Sequence, residues 1–369
     1  MTDLTTSNKL KRMPAEWERH MAVQLTWPHD DTDWQPILDE ITETYVEMAV
    51  AIASRERLIV VTPKPEEVAE QLKRAGMKEE ALARTDIIAC NTDDTWARDH
   101  GFITLSDDTY TDDSTQKTEE RTEKSRHLYL LDFCFNGWGR KFEAEQDNAI
   151  NRRLFAAGAV EGEYENHLDF VLEGGSIESD GQGTIFTTTG CLMAPNRNQP
   201  LTRLQIEEQL KRRLHADRVV WLDYGSLAGD DTDGHIDTLV RIAPHNTLLY
   251  IGCDNPEDEH YEELALMERQ LKTLKTADGQ PYRLMRLPLP EPIYDEGDRL
   301  PATYANYLVL NNAVLCPTYG QPELDKVAME TIAKAFTDRE IVGIDCRSII
   351  RQHGSLHCCT MQIYSQTDF

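Results

Sequence analysis

The sequence predicts an α/β protein in which a unit of two or three strands and one helix recurs along the chain. Three observations support this prediction. Amphipathic segments with a helical period alternate with short β-branched runs, and the alternation repeats. The 369 residues, 40% of them hydrophobic, suffice for a large buried core. Such a recurrence indicates units around a shared centre, with sites at strand ends and connecting loops.

Six segments have the apolar spacing of helices. Pro36, Pro65 and Pro322 suit a first helical turn, where the missing amide hydrogen is harmless, while Gly76 and Gly158 suit C-terminal caps. The predicted helices are Pro36–Arg55, Pro65–Gly76, Glu143–Gly158, Thr202–Leu214, Glu259–Lys275 and Pro322–Phe336. The predicted strands are Leu58–Thr62, Asp86–Cys90, Gly101–Leu105, Leu128–Phe133, Gly183–Thr189, Arg218–Leu222, Thr238–Ala243, Thr247–Ile251, Ala313–Pro317, Glu340–Asp345 and Cys359–Tyr364.

We expect one α/β domain over residues 13–369, preceded by a disordered or extended tail over residues 1–12. The segment Ser106–Arg126 breaks the pattern, because it is polar, charged and too poor in apolar residues to contribute to a core. It is predicted to form a mobile surface hairpin or loop that the chemistry does not need.

The charge balance favours a small cationic ligand. Lysine and arginine number 38 against 65 aspartate and glutamate, which gives a formal net charge of −27. Such a surface disfavours nucleic acid and anionic membranes as partners. The chain start lacks an apolar signal segment, and no stretch approaches the roughly 18 apolar residues of a membrane span, so a cytoplasmic location is expected. Eight scattered cysteines without zinc-like spacing predict neither a disulfide framework nor a structural metal.

Polar clusters stand at the ends of apolar runs, where functional loops are common. The first, NTDDTWARDHG (91–101), offers Asp94 or Asp99 as a pocket carboxylate and Trp96 as an apolar or cation-binding wall. An acidic turn in which Arg98 pairs with a neighbouring aspartate is the alternative. The second cluster, at 172–188, places Glu173 before two glycines that allow close backbone approach, and it lacks the spacing of a phosphate loop.

The third and fourth clusters add a histidine and a thiol. In a strand, His235 and Asp237 of TDGHID would point to the same side. A structurally bonded histidine is one alternative, and a metal site, which lacks a third spaced ligand, is another. Cys358 follows a Gly-Ser turn, so its thiol is predicted to face a cleft at a strand end while Cys359 packs inward. A purely buried cysteine is the alternative.

Together the clusters suit a guanidinium better than a metal ion. A guanidinium is a planar cation whose N–H groups pair with carboxylates while its central carbon stays open to attack. Carboxylates that fix its plane, an attacking thiolate and a histidine that protonates departing ammonia would divide the substitution into two easier steps. The expected ligand is therefore a small guanidinium compound.

These clusters and three further motifs resemble the agmatine deiminase family, also called bacterial peptidylarginine-deiminase-like proteins. The resemblance runs from about Met13 to Tyr364, with the motifs in the family's order and spacing. They are MPAEWE (13–18), LTWPH with a following DW (25–34), DDTWARD (93–99), FNGWG (135–139), FVLEGGS (170–176), DGQGTIFTT (180–188), TDGHID (232–237) and GSLHC (354–358).

The resemblance implies a five-bladed pseudosymmetric α/β propeller, the pentein fold, with no cofactor or metal and a homo-oligomeric assembly. It implies that Asp99 and Asp237 clamp the guanidinium and that His235 is the general acid and base. Glu173 is implied as a further carboxylate beside the guanidinium or His235. Cys358 is implied as the nucleophile that forms a covalent intermediate.

The implied reaction is hydrolysis of agmatine to N-carbamoylputrescine and ammonia, in putrescine synthesis. Trp96 is expected to line the pocket, and Asp231 to meet a distal amine. The chain departs from the family's typical GGGNIHC, with Gln352, His353 and Ser355 in QHGSLHC. These side chains are expected to narrow the mouth or contact the substrate's tail, which makes substrate identity less secure than reaction type.

Other functions stay open at this point. Deimination of free arginine would need a cationic partner for the α-carboxylate, for which Arg98 is the motif candidate, and a peptidyl-arginine substrate would need an open cleft. A non-catalytic guanidinium-binding protein on the same fold would need the carboxylates but no thiol. An amidinotransferase would use an amine in place of water, and a cysteine protease would fit poorly with acids crowding the thiol.

Overall fold

The computed structural model describes residues 11–109 and 125–365. Within these ranges a strand–strand–helix–strand unit occurs five times. In each unit the first two strands are antiparallel, and the third strand lies parallel to the second after the intervening helix. The predicted recurrence is therefore confirmed.

The first unit joins the two ends of the described chain, because its first strand is the last one in the sequence. Its sheet has the order Thr360–Tyr364, His20–Thr26, Arg57–Thr62 and Thr85–Ala89, with the helix Leu38–Ala53. The second unit consists of Ile103–Thr109, Ser125–Cys134, the helix Ile150–Ala156 and Glu163–Val171. The third consists of Ile177–Ser179, Thr184–Thr188, the helix Arg203–Leu214 and Arg218–Leu222.

The remaining two units follow the same order. The fourth consists of Val240–Ala243, Thr247–Gly252, the helix Tyr261–Leu271 and Arg283–Pro288. The fifth consists of Leu308–Val309, Ala313–Thr318, the helix Pro322–Ala335 and Glu340–Asp345. Additional elements are the helices Pro65–Arg74, Glu79–Leu82, Ala97–His100, Gly137–Arg140 and Thr189–Leu192, and the hairpin Tyr294–Asp295 with Asp298–Arg299.

Local sequence explains why the helices start and pack where they do. Thr202 begins the third unit's helix with a capping box, in which its hydroxyl oxygen accepts from the Gln205 amide and the Gln205 side chain accepts in return. Ile206, Leu210 and Leu214 then repeat every four residues and are fully buried. The helix thereby covers one face of the mixed sheet of its unit.

All six predicted helices and eleven predicted strands occur, with ends shifted by up to several residues. The sequence prediction missed four strands of three or more residues: His20–Thr26, Glu163–Val171, Ile177–Ser179 and Arg283–Pro288. Glu163–Val171 (EYENHLDFV) escaped because it is a half-exposed edge strand whose charged residues hide any apolar alternation.

Two predictions fall partly outside the described residues. Residues 1–10 of the predicted tail lie outside the described residues. Arg12, near the end of that predicted tail, forms an isolated antiparallel bridge with Ser106. Of the predicted insertion, residues 110–124 lie outside, and the flanking residues continue two strands that pair as far as Thr109 and Ser125. Among the helices of the described ranges, none combines the length and apolarity needed to cross a membrane.

Candidate functional site

Every connection from the last strand of one unit to the first strand of the next contributes a polar side chain to one buried centre. In chain order these side chains are Asp99, Glu173, His235 with Asp237, Asn306, and Cys358. Gly175 lies beside three of them, because a Cβ atom added there would stand 2.6 Å from His235 Nδ1, 2.9 Å from Asp99 Oδ1 and 3.1 Å from Asp237 Oδ2. Only glycine leaves room for these groups to converge.

Asp99 lies in the short helix Ala97–His100 and is bound by neutral donors. Its Oδ1 accepts from the Gly175 amide at 3.0 Å, and its Oδ2 accepts from Trp138 Nε1 at 2.9 Å. Burial raises the pKa of Asp99, and the neighbouring His235 opposes this shift. The site thus holds a carboxylate whose charge is poorly compensated.

Trp138 reaches Asp99 from an uncommon backbone turn. Trp138 and Arg140 have φ angles of 52° and 67°, left-handed values that cost a non-glycine residue about 1–2 kcal/mol. Asn136 holds the turn, since its side chain accepts from the Gly139 amide and donates to the Asn196 carbonyl. The FNGWG motif therefore serves to place one indole against one carboxylate.

His235 and Asp237 do not lie in a strand, which corrects the sequence prediction. Gly234 has a φ of 90°, and a 3-10 helix over Ile236–Thr238 follows His235. The two side chains consequently face different partners. His235 Nδ1 lies 3.6 Å from Asp99 Oδ1, whereas Asp237 Oδ2 accepts from His357 Nδ1 at 2.7 Å.

The environment shifts the two pKa values in opposite directions. Burial would lower the pKa of His235, but Asp99, Cys191 and Glu173 outweigh it and raise that pKa well above its ordinary value. Burial would raise the pKa of Asp237, but His357 lowers it. The raised pKa favours the protonated form of His235, and the lowered pKa favours the ionised form of Asp237. Asp237 Oδ1 lacks a hydrogen-bond partner among the described residues.

Cys358 lies in the turn that precedes the closing strand, and like Cys359 it is buried. Its Sγ lies 3.4 Å from Asn306 Oδ1 and 3.9 Å from Asp237 Oδ2. Burial, Asp237 and Asp99 raise the pKa of Cys358 well above its ordinary value, although a backbone hydrogen bond from Ser355 opposes them. In the free protein Cys358 is therefore a thiol.

Glu173 differs from the other acids because a buried arginine neutralises it. Arg197 Nε donates to both Glu173 oxygens, at 2.9 and 3.2 Å, and the same guanidinium bonds Asp233 and the Thr232 carbonyl. Ligand atoms of Glu173, Cys191 and His235 lie within 4.8 Å of one another. Because Arg197 already occupies the glutamate, this group suits an ion pair better than a metal ion.

A cavity of about 130 Å³ opens in front of Cys358. Trp96 and Trp138 form aromatic walls, and Asp231 lies on the lining. The lining contains four aspartates: Asp33, Asp94, Asp99 and Asp231. No lysine or arginine of residues 11–109 and 125–365 lines it.

The three departures from the family motif occupy different places. Gln352 and His353 line the cavity, where Gln352 donates to the Asp33 carbonyl and His353 Nδ1 lies 2.7 Å from the Gly229 carbonyl oxygen. The Ser355 hydroxyl is buried and bonds Tyr319. Only the first two side chains can therefore meet a substrate's tail.

Arg98, the motif arginine, lies away from the cavity. It is buried, and its Nη2 donates to Gln362 Oε1. It lines a separate cavity of about 40 Å³ together with Glu16 and His357. Within residues 11–109 and 125–365 no ion pair joins Arg98 to a neighbouring aspartate, and Arg98 does not line the cavity in front of Cys358.

Behind Asp237 lies a buried charge network. His357 Nε2 lies 3.2 Å from Glu16 Oε2, and Arg241 binds both Glu16 and Glu178. Burial would raise the pKa of Glu16, but Arg241 and His357 lower it well below its ordinary value. The MPAEWE motif thus delivers a carboxylate that supports the site from within the core.

Sequence reasoning missed four residues of this site: Asn306, Trp138, Arg197 and His357. Trp138 and His357 stood inside motifs that were noted, but nothing in a motif says which neighbour a side chain touches. Asn306 had one local signal, a polar residue among aromatic and apolar ones in TYANYLVL.

The chain matches the Porphyromonas-type peptidyl-arginine deiminase family over residues 12–363. The match spans nearly the whole chain, and the protein belongs to this family. The expected family resemblance is therefore confirmed.

Individual relatives carry different names. A curated protein of Marinomonas sp., "Putative agmatine deiminase", is 31% identical over 387 residues, covering 98% of this chain and 96% of its own. A solved structure described as the "Putative Arginine Deiminase" from Porphyromonas gingivalis is 48% identical, with a TM-score of 0.86 and coverage of 97% and 99%. A cysteine-to-serine variant of C. jejuni agmatine deiminase, solved with substrate bound, is 34% identical, with a TM-score of 0.84 and coverage of 99% of both chains.

Proposed function

We propose that the protein is an agmatine deiminase that hydrolyses agmatine to N-carbamoylputrescine and ammonia. The observation that carries this proposal is the charge of the cavity. Its lining offers four carboxylates and, within the described residues, no lysine or arginine. A dication with a guanidinium at one end and an ammonium at the other matches such a surface.

The distal end of the substrate separates agmatine from arginine. Asp33 and Asp231 line the cavity and are available to an ammonium group, whereas an α-carboxylate would meet like charges. Arg98, the candidate partner for that carboxylate, lies in another cavity. The site therefore favours the decarboxylated guanidine.

The chemistry proceeds in two balanced steps. Asp99 and Asp237 hold the guanidinium, Cys358 releases its proton to solvent, and Sγ bonds the central carbon. Protonated His235 then gives its proton to one amino group, which leaves as ammonia, and His235 becomes neutral. The C–N bond breaks and an amidino-thioether cation forms. Water, deprotonated by His235, then adds to the same carbon, the C–S bond breaks, and the carbamoyl product and the thiol are released.

The thiol ionises only when the cation is present. Asp99 and Asp237 raise the pKa of Cys358 in the free protein, and a bound guanidinium would compensate both charges. Glu173, held by Arg197, supports His235 and does not take part in the clamp. Substrate binding thus creates the nucleophile in the place where it is needed.

The architecture agrees with this assignment. We propose that the five units are the blades of the expected propeller, because all five connections deliver side chains to one centre. The single domain, the homo-oligomeric state, the cytoplasmic location and the role in putrescine synthesis remain predictions.

Ammonia release from agmatine, free arginine and a blocked arginine peptide, with wild type and Cys358→Ala side by side, tests the proposal. Turnover confined to agmatine and abolished by the substitution is expected. Preference for arginine or the peptide would preserve the mechanism and overturn the substrate. A ligand response without turnover would point to a binding protein.

Arginine deimination is the second candidate, and the 48% identical P. gingivalis protein favours it by name. His353 is half-buried on the cavity lining and is the histidine that an α-carboxylate would meet there. His353→Ala should lower turnover of arginine selectively if arginine is a substrate, and should leave agmatine turnover within a few-fold.

A further inference from the structure

The connection between the fourth and fifth units is the one for which the sequence suggested no functional residue. Asn306 comes from this connection and is fully buried. Its Oδ1 accepts from the backbone amides of His357, at 2.9 Å, and Cys358, at 3.3 Å, and lies 3.4 Å from Cys358 Sγ. Its Nδ2 donates to the Asp237 carbonyl oxygen at 3.4 Å.

These contacts fix which way the amide of Asn306 points. Backbone N–H groups can only donate, so the oxygen must face the nucleophile's turn and the nitrogen must face Asp237. The turn itself lies outside any sheet, and its amides depend on Asn306, whose backbone carbonyl also accepts from the His357 amide at 3.2 Å.

We infer that Asn306 is a positioning residue that sets the place of the Cys358 sulfur by tying the nucleophile's turn to the segment carrying Asp237. The inference rests on the proposed deiminase mechanism, in which Sγ attacks a guanidinium carbon held by Asp99 and Asp237. An attacking atom must lie about 3–3.5 Å from its target, and a displacement near 1 Å costs on the order of 100-fold in rate.

Asn306 also touches the sulfur, which separates this role from mere support of the turn. Its Oδ1 is a hydrogen-bond acceptor that favours the thiol over the thiolate. Alanine removes this acceptor, and the isosteric aspartate places a full negative charge there. The two substitutions should therefore move thiol ionisation in opposite directions.

The experiment compares Asn306→Ala, Asn306→Asp and the exposed control Asn312→Ala. Agmatine turnover gives kcat and KM, and the pH dependence of iodoacetamide alkylation of the free protein reports the thiol, with Cys358→Ala subtracting the other cysteines. For Asn306→Ala we expect kcat to fall about 100-fold with KM within about threefold. The alkylation midpoint should move to lower pH in Asn306→Ala and to higher pH in Asn306→Asp, and Asn312→Ala should match wild type.

Unchanged kcat in Asn306→Ala would overturn the inference, as would midpoints that move together in both variants alongside a lower melting temperature. If Asn306→Ala fails to fold, the aspartate variant decides by its midpoint alone, because it keeps the acceptor for the His357 and Cys358 amides and loses only the donation to the Asp237 carbonyl oxygen. Absence of turnover of any guanidine by wild type would refute the proposed function, while the alkylation profiles would still test Asn306.

Discussion

Two buried carboxylates flank His235, and they differ in what neutralises them. Asp99 is bound by a backbone amide and an indole, both neutral, and it lines the cavity. Glu173 is bound through both oxygens by Arg197 and does not line the cavity. A buried acid that is bonded by neutral donors, has only a histidine 3.6 Å away as its cationic neighbour and lies at the edge of a cavity marks the place of a cationic ligand. An acid bonded directly by its own arginine marks a support.

The distinction explains how one site can be both acidic and stable. The support acids, Glu173, Glu16 and Glu178, have Arg197 or Arg241 as partners. The ligand-facing acid Asp99 carries a cost of burial that His235 relieves only in part, so its pKa stays raised and a bound cation would stabilise its charge further. Removing the charge of the ligand-facing acid should therefore affect mainly catalysis. Removing the arginine partner of a support acid should affect mainly the stability of the fold.

The largest expected effect is on catalysis by Asp99→Asn. Loss of one charge from a buried, hydrogen-bonded pair costs about 2–5 kcal/mol, so kcat/KM for agmatine should fall by roughly 30- to 5000-fold. Unfolding free energy should change by only about 1 kcal/mol, since the folded protein already disfavours this charge. Steady-state kinetics and urea unfolding measure the two quantities, and a loss of stability as large as the loss of activity would contradict the comparison.

Arg197→Met should show the opposite pattern, with the main loss in stability. It leaves Glu173 charged and unpaired in the core, which costs about 3–5 kcal/mol of unfolding free energy. The double variant Arg197→Met/Glu173→Gln should recover part of this loss because no unpaired charge remains. If the double variant is less stable than Arg197→Met alone, the loss of stability does not come from an unpaired charge on Glu173, and the role assigned to Arg197 is wrong.

A third comparison uses the charge of a small alkylating reagent. At neutral pH the free thiol of Cys358 should react at least about tenfold faster with cationic chloroacetamidine than with neutral chloroacetamide, because only the cation compensates Asp99 and Asp237. Asp99→Asn should reduce this preference. Equal rates in wild type would show that the thiolate exists before any cation binds.

The sequence was sufficient to predict the recurring structural unit and to single out the motif residues of the site. It was insufficient to predict the residues that belong to the site only through contacts with distant parts of the chain. Helical periods, prolines at helix starts and β-branched runs predicted the recurring unit. The motifs identified Asp99, His235, Asp237 and Cys358. The HxD motif was interpreted with a strand geometry, whereas Gly234 and a 3-10 helix shape this segment, and the two side chains nevertheless converge beside Gly175.

The support residues could not have been predicted by the same reasoning. Arg197 lies 24 positions from Glu173, and His357 lies 120 positions from Asp237. An ion pair or hydrogen bond at such separations has no local signature, since it depends on how the units close around a centre. Single-sequence patterns report periodicity and turns, and they do not report which buried charges meet.

Asp94 allows a further test of the comparison between ligand-facing and support acids. The expected effect is the smallest of those predicted. It lines the cavity like Asp99, but its oxygens accept from Trp34 Nε1, Trp96 Nε1 and the Thr95 amide. Burial raises the pKa of Asp94 to about 6, so the group is an anion above that pH and neutral below it. A cationic substrate should therefore bind more weakly as pH falls through 6.

We expect KM for agmatine to rise a few-fold between about pH 7 and about pH 5, with a smaller change in kcat, because Asp94 lines the cavity without touching Cys358. Asp94→Asn removes the titrating charge, so its KM should be high throughout this range and nearly independent of pH. If the variant keeps the wild-type pH dependence, another cavity acid titrates there. In that case the partly compensated Asp94 belongs with the supports, and the ligand-facing charge is confined to the acids beside Cys358.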